Sequence, residues 1–486
     1  MLPVATRRFS GATNAFISPP HPAATLLPHT LLPFLPSLSQ HLLIAVLAVL
    51  VYVVTTRARR DQRAPSSAIA WVMGLALLPY LVLPMYLMFG RRKLRPAHAP
   101  RVPEGKPWPH WAADLAASFS LAPPALGRTR LHADGAEARD ALWSVIAAAR
   151  ERLDVCTFII GQDALGRAVM QRLIGQARAG VRVRLLLDGF GALMLPRRYF
   201  DDLRAAGAEV AVFRPLLGLR RAGPRNLRNH RKFVIADDRL MWSGGRNLAA
   251  EYFTGDADAG LEPWFDLSFD IEGPTAAAAA RQFEQDWAAV QQKRPRHIPP
   301  GVAPEPGHGS VTQFLPSGPD QSEDTAQAIL VAACFHARRR ILAITPYFVP
   351  NDALRDALRL AALRGVQVDI AIPRLSNHRL ADMVRSRAMR DLAAAGARFH
   401  LLPAMAHAKA VVVDDDLALC GSINLDLRSL LLNHEAGVLF YDPADVAWLA
   451  AWIEALAARG TPFDARPPGV FRDIGEGLLL TVAFQL

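Results

Sequence analysis

Two short stretches of this chain share one pattern, and that repetition restricts the fold more than any other feature. His230-Arg231-Lys232 leads to Asp237 and then to Gly244-Gly245-Arg246-Asn247. His407-Ala408-Lys409 leads, at the same offsets, to Asp414 and then to Gly421-Ser422-Ile423-Asn424. Both read H-x-K-x(4)-D-x(6)-G-[GS]-x-N. A lone His-x-Lys is ordinarily a solvated strand face. Two copies with matched internal spacing point to a duplicated unit whose halves meet at one site.

The flanks repeat as well. Arg152 to Ile160 reads as a strand, Asp163 to Ala179 as a helix and Val181 to Asp188 as a strand, followed by a helix over Arg198 to Ala206 and a strand over Glu209 to Phe213. Pro295 to Gly309 is proline-rich punctuation, after which the order returns. Arg340 to Pro346 is a strand, Asp352 to Arg364 a helix, Val366 to Ile372 a strand, Leu380 to Ala395 a helix and Arg398 to Leu402 a strand. Asp163-Ala164-Leu165 corresponds to Asp352-Ala353-Leu354, and Gly180-Val181-Arg182-Val183 to Gly365-Val366-Gln367-Val368. Alternating strands and helices specify the α/β class. A period of roughly 180 residues is too long for a solenoid and suits a two-lobed pseudo-dimer.

Ahead of the duplication lie two apolar runs, Leu42 to Val54 and Ala68 to Gly90. About 20 helical residues cross a hydrocarbon layer of about 30 Å, so two transmembrane helices are expected, with Pro79 and Pro84 tolerated as kinks. Arg57-Ala58-Arg59-Arg60 lies between the runs and Arg91-Arg92-Lys93 after them. If both runs cross, these clusters fall on opposite sides and do not orient the protein; a second run that dips in and returns would put both on one side, though its length favours crossing. The resulting division is a proline-rich segment at 1–40, disordered or targeting, a membrane anchor at 41–93, a first lobe at 108–294 and a second at 310–486, with a proline-rich linker from Pro96 to Trp111.

The net charge of +11 implies anionic partners. Cys156, Cys334 and Cys420 have no repeated spacing, which argues against a disulfide framework or a zinc site. Of 55 basic residues only five are lysine, and two of those stand in the repeated motif. Lysine there supplies a compact ammonium in place of the planar arginine fork.

Alternate residues of an extended strand share a face, so His230 and Lys232 point together, as do His407 and Lys409, while Phe233 and Ile235 face a core. Asp237 and Asp414 close the strand at a turn. A returning strand then brings the glycines, which permit close approach of a ligand, and Asn247 and Asn424 back beside the His/Lys face. A two-fold arrangement yields one pocket with two imidazoles, two ammoniums and two amides. That set fits a phosphodiester: one imidazole attacks, the other protonates the leaving oxygen, and the cations and amides hold the non-bridging oxygens. His230, Lys232, Asp237, His407, Lys409 and Asp414 form the expected catalytic set, and Asn247, Ser422 and Asn424 the substrate-binding set. No metal or cofactor is called for. His110, His308 and His378 stand outside any spaced cluster and read as ordinary surface or loop residues.

The paired motifs resemble those of the phospholipase D superfamily, and their surroundings resemble its bacterial cardiolipin synthase branch over nearly all of residues 40–486. The matching stretches include Phe89-Gly90-Arg91-Arg92-Lys93-Leu94, Glu251-Tyr252 and Trp264-Phe265-Asp266. Ile271-Glu272-Gly273-Pro274, Asp286-Trp287 and Thr345-Pro346-Tyr347-Phe348-Val349-Pro350 match too, as do Leu425-Asp426-Leu427-Arg428-Ser429 and Asn433-His434-Glu435. The resemblance implies two homologous phospholipase D-like α/β lobes forming a pseudo-dimer behind two transmembrane helices. It implies a metal-independent transfer through a phosphatidyl-histidine that condenses two phosphatidylglycerol molecules to cardiolipin and glycerol; a phospholipase D-type hydrolase or head-group exchanger is the alternative. It places Asp266 and Glu435 behind the histidines, makes Asp237 and Asp414 more structural, and favours His230 as nucleophile and His407 as acid/base. The implied setting is the bacterial inner membrane, as a multi-pass protein among anionic lipids and without nucleic acid. The first 40 residues fall outside the family's pattern.

Overall fold

A computed structural model describes residues 37–59, 65–94, 108–196, 198–215, 226–258, 260–303 and 309–480. Most of the proline-rich start and of the Pro96–Trp111 linker, and His308, lie outside the described residues.

The first lobe contributes strands β1 (Ala125–His132), β2 (Arg152–Thr157), β3 (Arg182–Asp188), β4 (Glu209–Phe213), β5 (Phe233–Ala236), β6 (Leu240–Gly244) and β7 (Ser268–Glu272). The second contributes β8 (Ser310–Ser317), β9 (Arg340–Ile344), β10 (Phe348–Val349), β11 (Gln367–Pro373), β12 (Arg398–Leu402), β13 (Ala410–Val413), β14 (Leu417–Gly421), β15 (Leu425–Asp426), β16 (Glu435–Phe440) and β17 (Thr461–Pro462). From the middle outward, one half of the main sheet runs β1-β7-β6-β5-β2-β3-β4 and the other β8-β16-β14-β13-β9-β11-β12-β17. The halves match strand for strand until β17, and the antiparallel pairing of β1 with β8 joins them into one 15-stranded sheet. The duplication read from the sequence is therefore a physical two-fold.

Local chemistry explains the repeated elements. The helix Ala164–Arg178 starts where the Asp163 carboxylate accepts from Gly166 N at 2.8 Å, and the helix Asp352–Leu363 where the Asn351 side chain accepts from Leu354 N at 3.1 Å. The helices end before Gly180 and Gly365, whose φ angles of 91° and 87° suit only glycine without strain. Each helix carries the chain over to a parallel strand, as parallel pairing requires. One apolar layer runs beneath both lobes, with Phe269 edge-on to Phe440 at 5.5 Å and Phe233 near Phe314 at 5.9 Å. The shared layer makes the two lobes one packed body.

At the N-terminal end, α1 (Leu38–Arg59) has 22 residues, and at 1.5 Å per residue its length of about 33 Å matches a bilayer core. Among the described residues it is the one helix long and apolar enough to cross. The second apolar run, expected as a single kinked crossing, is instead two helices, α2 (Pro65–Leu77) and α3 (Pro79–Phe89), of 13 and 11 residues. Leu78 leaves helical geometry at φ −134°, ψ 56°, and Pro79 opens the next helix at a position where its missing N–H costs nothing.

Candidate active site

The ladder strands begin at Phe233 and Ala410, so His230, Lys232, His407 and Lys409 lie in the extended lead-ins rather than within the strands themselves. The reason is that these lead-ins bond to the other lobe. Asn229 bridges in parallel to His434, and Ala406 to Phe265. One residue beyond each bridge stands a histidine on one side and a carboxylate on the other. His230 therefore faces Glu435 of the second lobe, and His407 faces Asp266 of the first.

The contacts are direct. His230 Nδ1 lies 3.0 Å from both Glu435 oxygens, and His407 Nδ1 lies 2.9 Å from Asp266 Oδ2. With each Nδ1 committed to a carboxylate, His230 Nε2 is left to address a substrate, while His407 Nε2 is met by the Lys409 ammonium. Lys232 Nζ donates to the His230 carbonyl at 2.9 Å, and Lys409 Nζ lies 3.0 Å from His407 Nε2. Aromatic edges close the surroundings: Phe158 meets the His230 ring at 5.1 Å, and Tyr252 meets the His407 ring at 4.8 Å. Histidines, lysines and carboxylates are all buried.

Burial dominates their acid–base behaviour. It pushes His407 down to about 3, helped by the Lys409 ammonium and opposed by Asp266. It lowers His230 too, with Glu435 opposing and the two lysines assisting. The same cost of burying charge takes Lys232 down to about 8 and Lys409 to about 7. Burial alone would raise Asp266 and Glu435, but the facing histidines, and then the lysines, hold both carboxyls below their usual range. At neutral pH this gives neutral imidazoles clamped by carboxylates, beside ammoniums that retain much of their charge. An arriving phosphate anion offsets the mutual repulsion of the cations. The arrangement can deliver an imidazole to phosphorus and stabilise the charge that develops there.

The two halves are not identical. Glu435 also accepts from Ser422 Oγ, from Ser429 Oγ at 2.9 Å and from Asn433 Nδ2 at 3.3 Å. Ser422, expected to bind substrate, thus spends its hydroxyl on the carboxylate behind His230. At the matching position Gly245, a Cβ would lie 2.1 Å from Asp266 Oδ1, so a side chain there is excluded. Asn247 and Asn424 are both buried, Asn247 hydrogen-bonded to the Tyr252 side chain and Asn424 to Asp426. The amide oxygen of each has no partner among the described residues but can only accept, so contact with a phosphate oxygen falls to the amide N–H groups.

The motif aspartates are elsewhere, which corrects their inclusion in the catalytic set. Asp237 lies at the far end of its strand with φ 50° and accepts from the backbone N–H groups of Arg150, Glu151 and Arg152 at 2.8–2.9 Å. Asp414, also at φ 50°, does the same for Arg338, Arg339 and Arg340. They fasten a strand end; they do not reach the pocket.

Arg231 is the residue that motif reasoning passed over. Lying between His230 and Lys232, it points the opposite way and is fully buried. Its Nη1 binds Asp286 at 2.6 and 2.8 Å, its Nη2 binds both Asp320 oxygens at 2.9 Å and the Ser317 carbonyl at 3.1 Å, and its Nε binds the Glu435 carbonyl at 3.0 Å. The matching residue in the second copy is Ala408, buried in the shared apolar layer. Asp286, Asp320 and His434 place donor atoms within 4.8 Å of one another, as a metal site would, but Arg231 already bridges both carboxylates.

Known proteins share this construction. A family model described as cardiolipin synthase, PLD-like domain, matches residues 142–287 and again 330–457, once on each lobe. A second, described as phospholipase D-nuclease N-terminal, matches residues 44–91. The chain is 36% identical over 407 residues to cardiolipin synthase A of Pseudomonas putida (strain W619), covering 78% of this chain and 84% of that one. It is 33% identical over 463 residues to cardiolipin synthase A of Pseudomonas aeruginosa (strain LESB58), covering 89% and 94%. Its fold is similar to the crystal structure of phosphatidylserine synthase from Haemophilus influenzae Rd KW20, with TM-score 0.58 at 14% identity over 78% of this chain and 100% of that one. The two cardiolipin synthase-type matches fall on the two halves of the sheet, and the N-terminal match falls on the apolar helices. The chain belongs to the cardiolipin synthase family of phospholipase D-like proteins.

Proposed function

We propose that this protein is a membrane phosphatidyltransferase that condenses two phosphatidylglycerol molecules into cardiolipin and releases glycerol. The observation that carries the chemistry is the reciprocal clamp, in which each lobe's histidine is held by the other lobe's carboxylate. We divide the chain into an anchor at 41–93 and lobes at 108–294 and 310–486, with the proline-rich residues 1–40 ahead of them. The anchor embeds α1 and the α2–α3 pair in the membrane of a bacterial cell, where anionic lipid is the partner.

In the first step His230 Nε2 attacks the phosphorus of one phosphatidylglycerol while Lys232, Lys409, Asn247 and Asn424 hold its non-bridging oxygens. The negative charge of the bound phosphodiester favours the imidazolium, so His407 enters this step protonated on Nε2. The bond from phosphorus to the glycerol head group breaks, and His407 gives the departing oxygen that proton. In the second step His407 takes the proton from a hydroxyl on the head group of another phosphatidylglycerol. That oxygen attacks phosphorus and the nitrogen–phosphorus bond breaks. One phosphodiester is lost and one is made, so the exchange needs no nucleotide. Glu435, held by Ser422, Ser429 and Asn433, keeps the attacking imidazole fixed; Asp266 supports the proton-transferring one.

The test is turnover by the purified protein in detergent with phosphatidylglycerol as sole lipid. Cardiolipin and glycerol in equal amounts, absent with His230→Ala and with His407→Ala, are expected. Phosphatidic acid in place of cardiolipin would make the protein a hydrolase instead, because water then wins the second step.

A further inference from the structure

The second apolar run does not have the shape of a crossing. A straight helix through it would set Trp71 and Tyr86 about 22 Å apart at 1.5 Å per residue. Their ring centroids are 5.3 Å apart. Gly74 and Val82 would be about 12 Å apart on the same helix. A Cβ built on Gly74 lies 3.1 Å from Val82 Cγ1. The chain therefore reverses at Leu78, and α2 and α3 lie side by side. Each helix, at about 20 and 16 Å, is too short to cross a core of about 30 Å.

The packing against α1 gives the direction. Tyr80 lies 5.7 Å from His41 near the start of α1, whereas Tyr86 meets Tyr52 at 5.2 Å and bonds Thr55 Oγ1 at 2.6 Å near its end. Thus α3 runs parallel to α1 and α2 antiparallel. The chain enters the hairpin at the Arg57 end of α1 and leaves it at the same end, at Arg91, Arg92 and Lys93. That exit is fastened to the lobes. Arg92 and Lys93 both pair with Asp324 at 2.8 Å, Leu94 N donates to the Pro319 carbonyl at 2.8 Å, and Asn226 Nδ2 donates to the Phe89 carbonyl at 3.4 Å.

We infer that α2 and α3 form a re-entrant hairpin that enters and leaves the membrane on one side, that α1 is the sole crossing they accompany, and that the lobes sit on the cytoplasmic side. This replaces the second crossing that the run's length favoured, and it rests on the membrane embedding proposed above. The orientation follows from charge. The basic clusters at Arg57 and at Arg91–Lys93 now share one side, while the sequence from 9 to 37, which leads into α1, contains no lysine or arginine, and Arg7-Arg8 stand about 30 residues ahead of the helix. Cytoplasmic flanks carry the excess of basic residues. The consequence for the reaction is that the pocket draws lipid from the inner leaflet: residues 89–94 hold the loop around Pro319, and Asp320 of that loop holds Arg231 beside His230.

The experiment uses the full-length protein in a bacterial host and a membrane-impermeant polyethylene glycol maleimide, read as a gel shift. The native cysteines are buried, so the unsubstituted protein is the blank. Ser37→Cys, Ser67→Cys and Ser144→Cys report the start of α1, the start of α2 and the first lobe. The expected result is that Ser37→Cys shifts in intact spheroplasts and loses its shift in sealed inverted vesicles. Ser67→Cys and Ser144→Cys should do the reverse, and together. Labelling of those two from opposite faces would overturn the hairpin, and labelling of both in spheroplasts would overturn the orientation. Release of the protein from the membrane by alkaline carbonate would instead overturn the embedding on which the inference stands.

Discussion

Replacing Arg231 by methionine tests whether the buried interlobe network holds the pocket together. Methionine keeps an unbranched apolar stem but removes every donor. The lost contacts are Asp286, Asp320, and the carbonyls of Ser317 and Glu435. Breaking a buried ion pair from one side costs about 3–5 kcal/mol because the opposite charge stays buried. The partners left behind temper this. Asp320 keeps His434 at 3.0 Å, and Asp286 keeps Gln282 at 3.0 Å and Asn229 at 3.2 Å. The lower end, about 3 kcal/mol, is therefore expected, a large share of a typical total of about 5–15 kcal/mol. With an unfolding entropy of about 2.1 cal/mol/K per residue, about 0.8 kcal/mol/K for two lobes that unfold as one body, the melting temperature should fall by about 4 °C. Thermal unfolding in detergent, followed by near-ultraviolet circular dichroism, reads it. Adding Asp286→Asn to the variant should recover part of the loss, since the stranded charge is then removed. A melting temperature within a degree or two of wild type would refute the reasoning, and so would a further fall on adding Asp286→Asn.

Asp237→Asn and Asp414→Asn should each lose about 1.5–3 kcal/mol of stability, the worth of hydrogen bonds to a charged acceptor, while turnover per folded molecule changes little; a large loss of turnover with unchanged melting would return these residues to the chemistry. Ser422→Gly removes a donor to Glu435 and should lower kcat by about 10- to 100-fold, the kinetic equivalent of that bond, with KM little altered. For pH, Lys409 and Lys232 are held down to about 7 and about 8, so kcat/KM should decline as pH rises through these values and the ammoniums lose their protons. Stability runs the other way: His407 is pushed from 6.5 to about 3, so the unfolded chain takes up its proton first, and the stability present above pH 6.5 is lost as pH falls from there toward 3. Melting curves across that window check the sign, and His407→Gln should flatten them.

Much of this was legible in the residues. Apolar alternation and the punctuation at Gly180, Gly365, Asp163 and Asn351 set the strands and helices, because these are local choices of backbone and cap. Spacing alone revealed the duplication and the four His and Lys residues. What spacing could not show is which groups meet across the two-fold. Asp266 and Glu435 lie far in sequence from the histidines that they hold, and only the resemblance pointed to them. Arg231 was hidden by its position in the alternation, since a residue between His230 and Lys232 reads as facing an apolar core, as Ala408 does. Ser422 was given to the substrate because its hydroxyl stands in the motif; the carboxylate it serves arrives from another strand. The aspartates are the converse case, prominent in the motif but used at the far end of the strand. The break at Leu78 had a visible signal in Pro79, yet whether a proline kinks or ends a helix depends on what the two halves pack against, here Tyr52, Thr55 and Tyr86.

The central claim is that a phosphatidyl group passes through one histidine of a shared pocket. The direct measurement is mass spectrometry of rapidly quenched protein after reaction with a phosphatidyl ester of p-nitrophenol, whose leaving group needs no acid. His407→Ala should release p-nitrophenol once per molecule and accumulate a phosphoramidate on His230, because the second step lacks its base. His230→Ala should release none. An adduct on His407 would contradict the assignment of roles, and release of p-nitrophenol with no adduct on either histidine would contradict the two-step account itself.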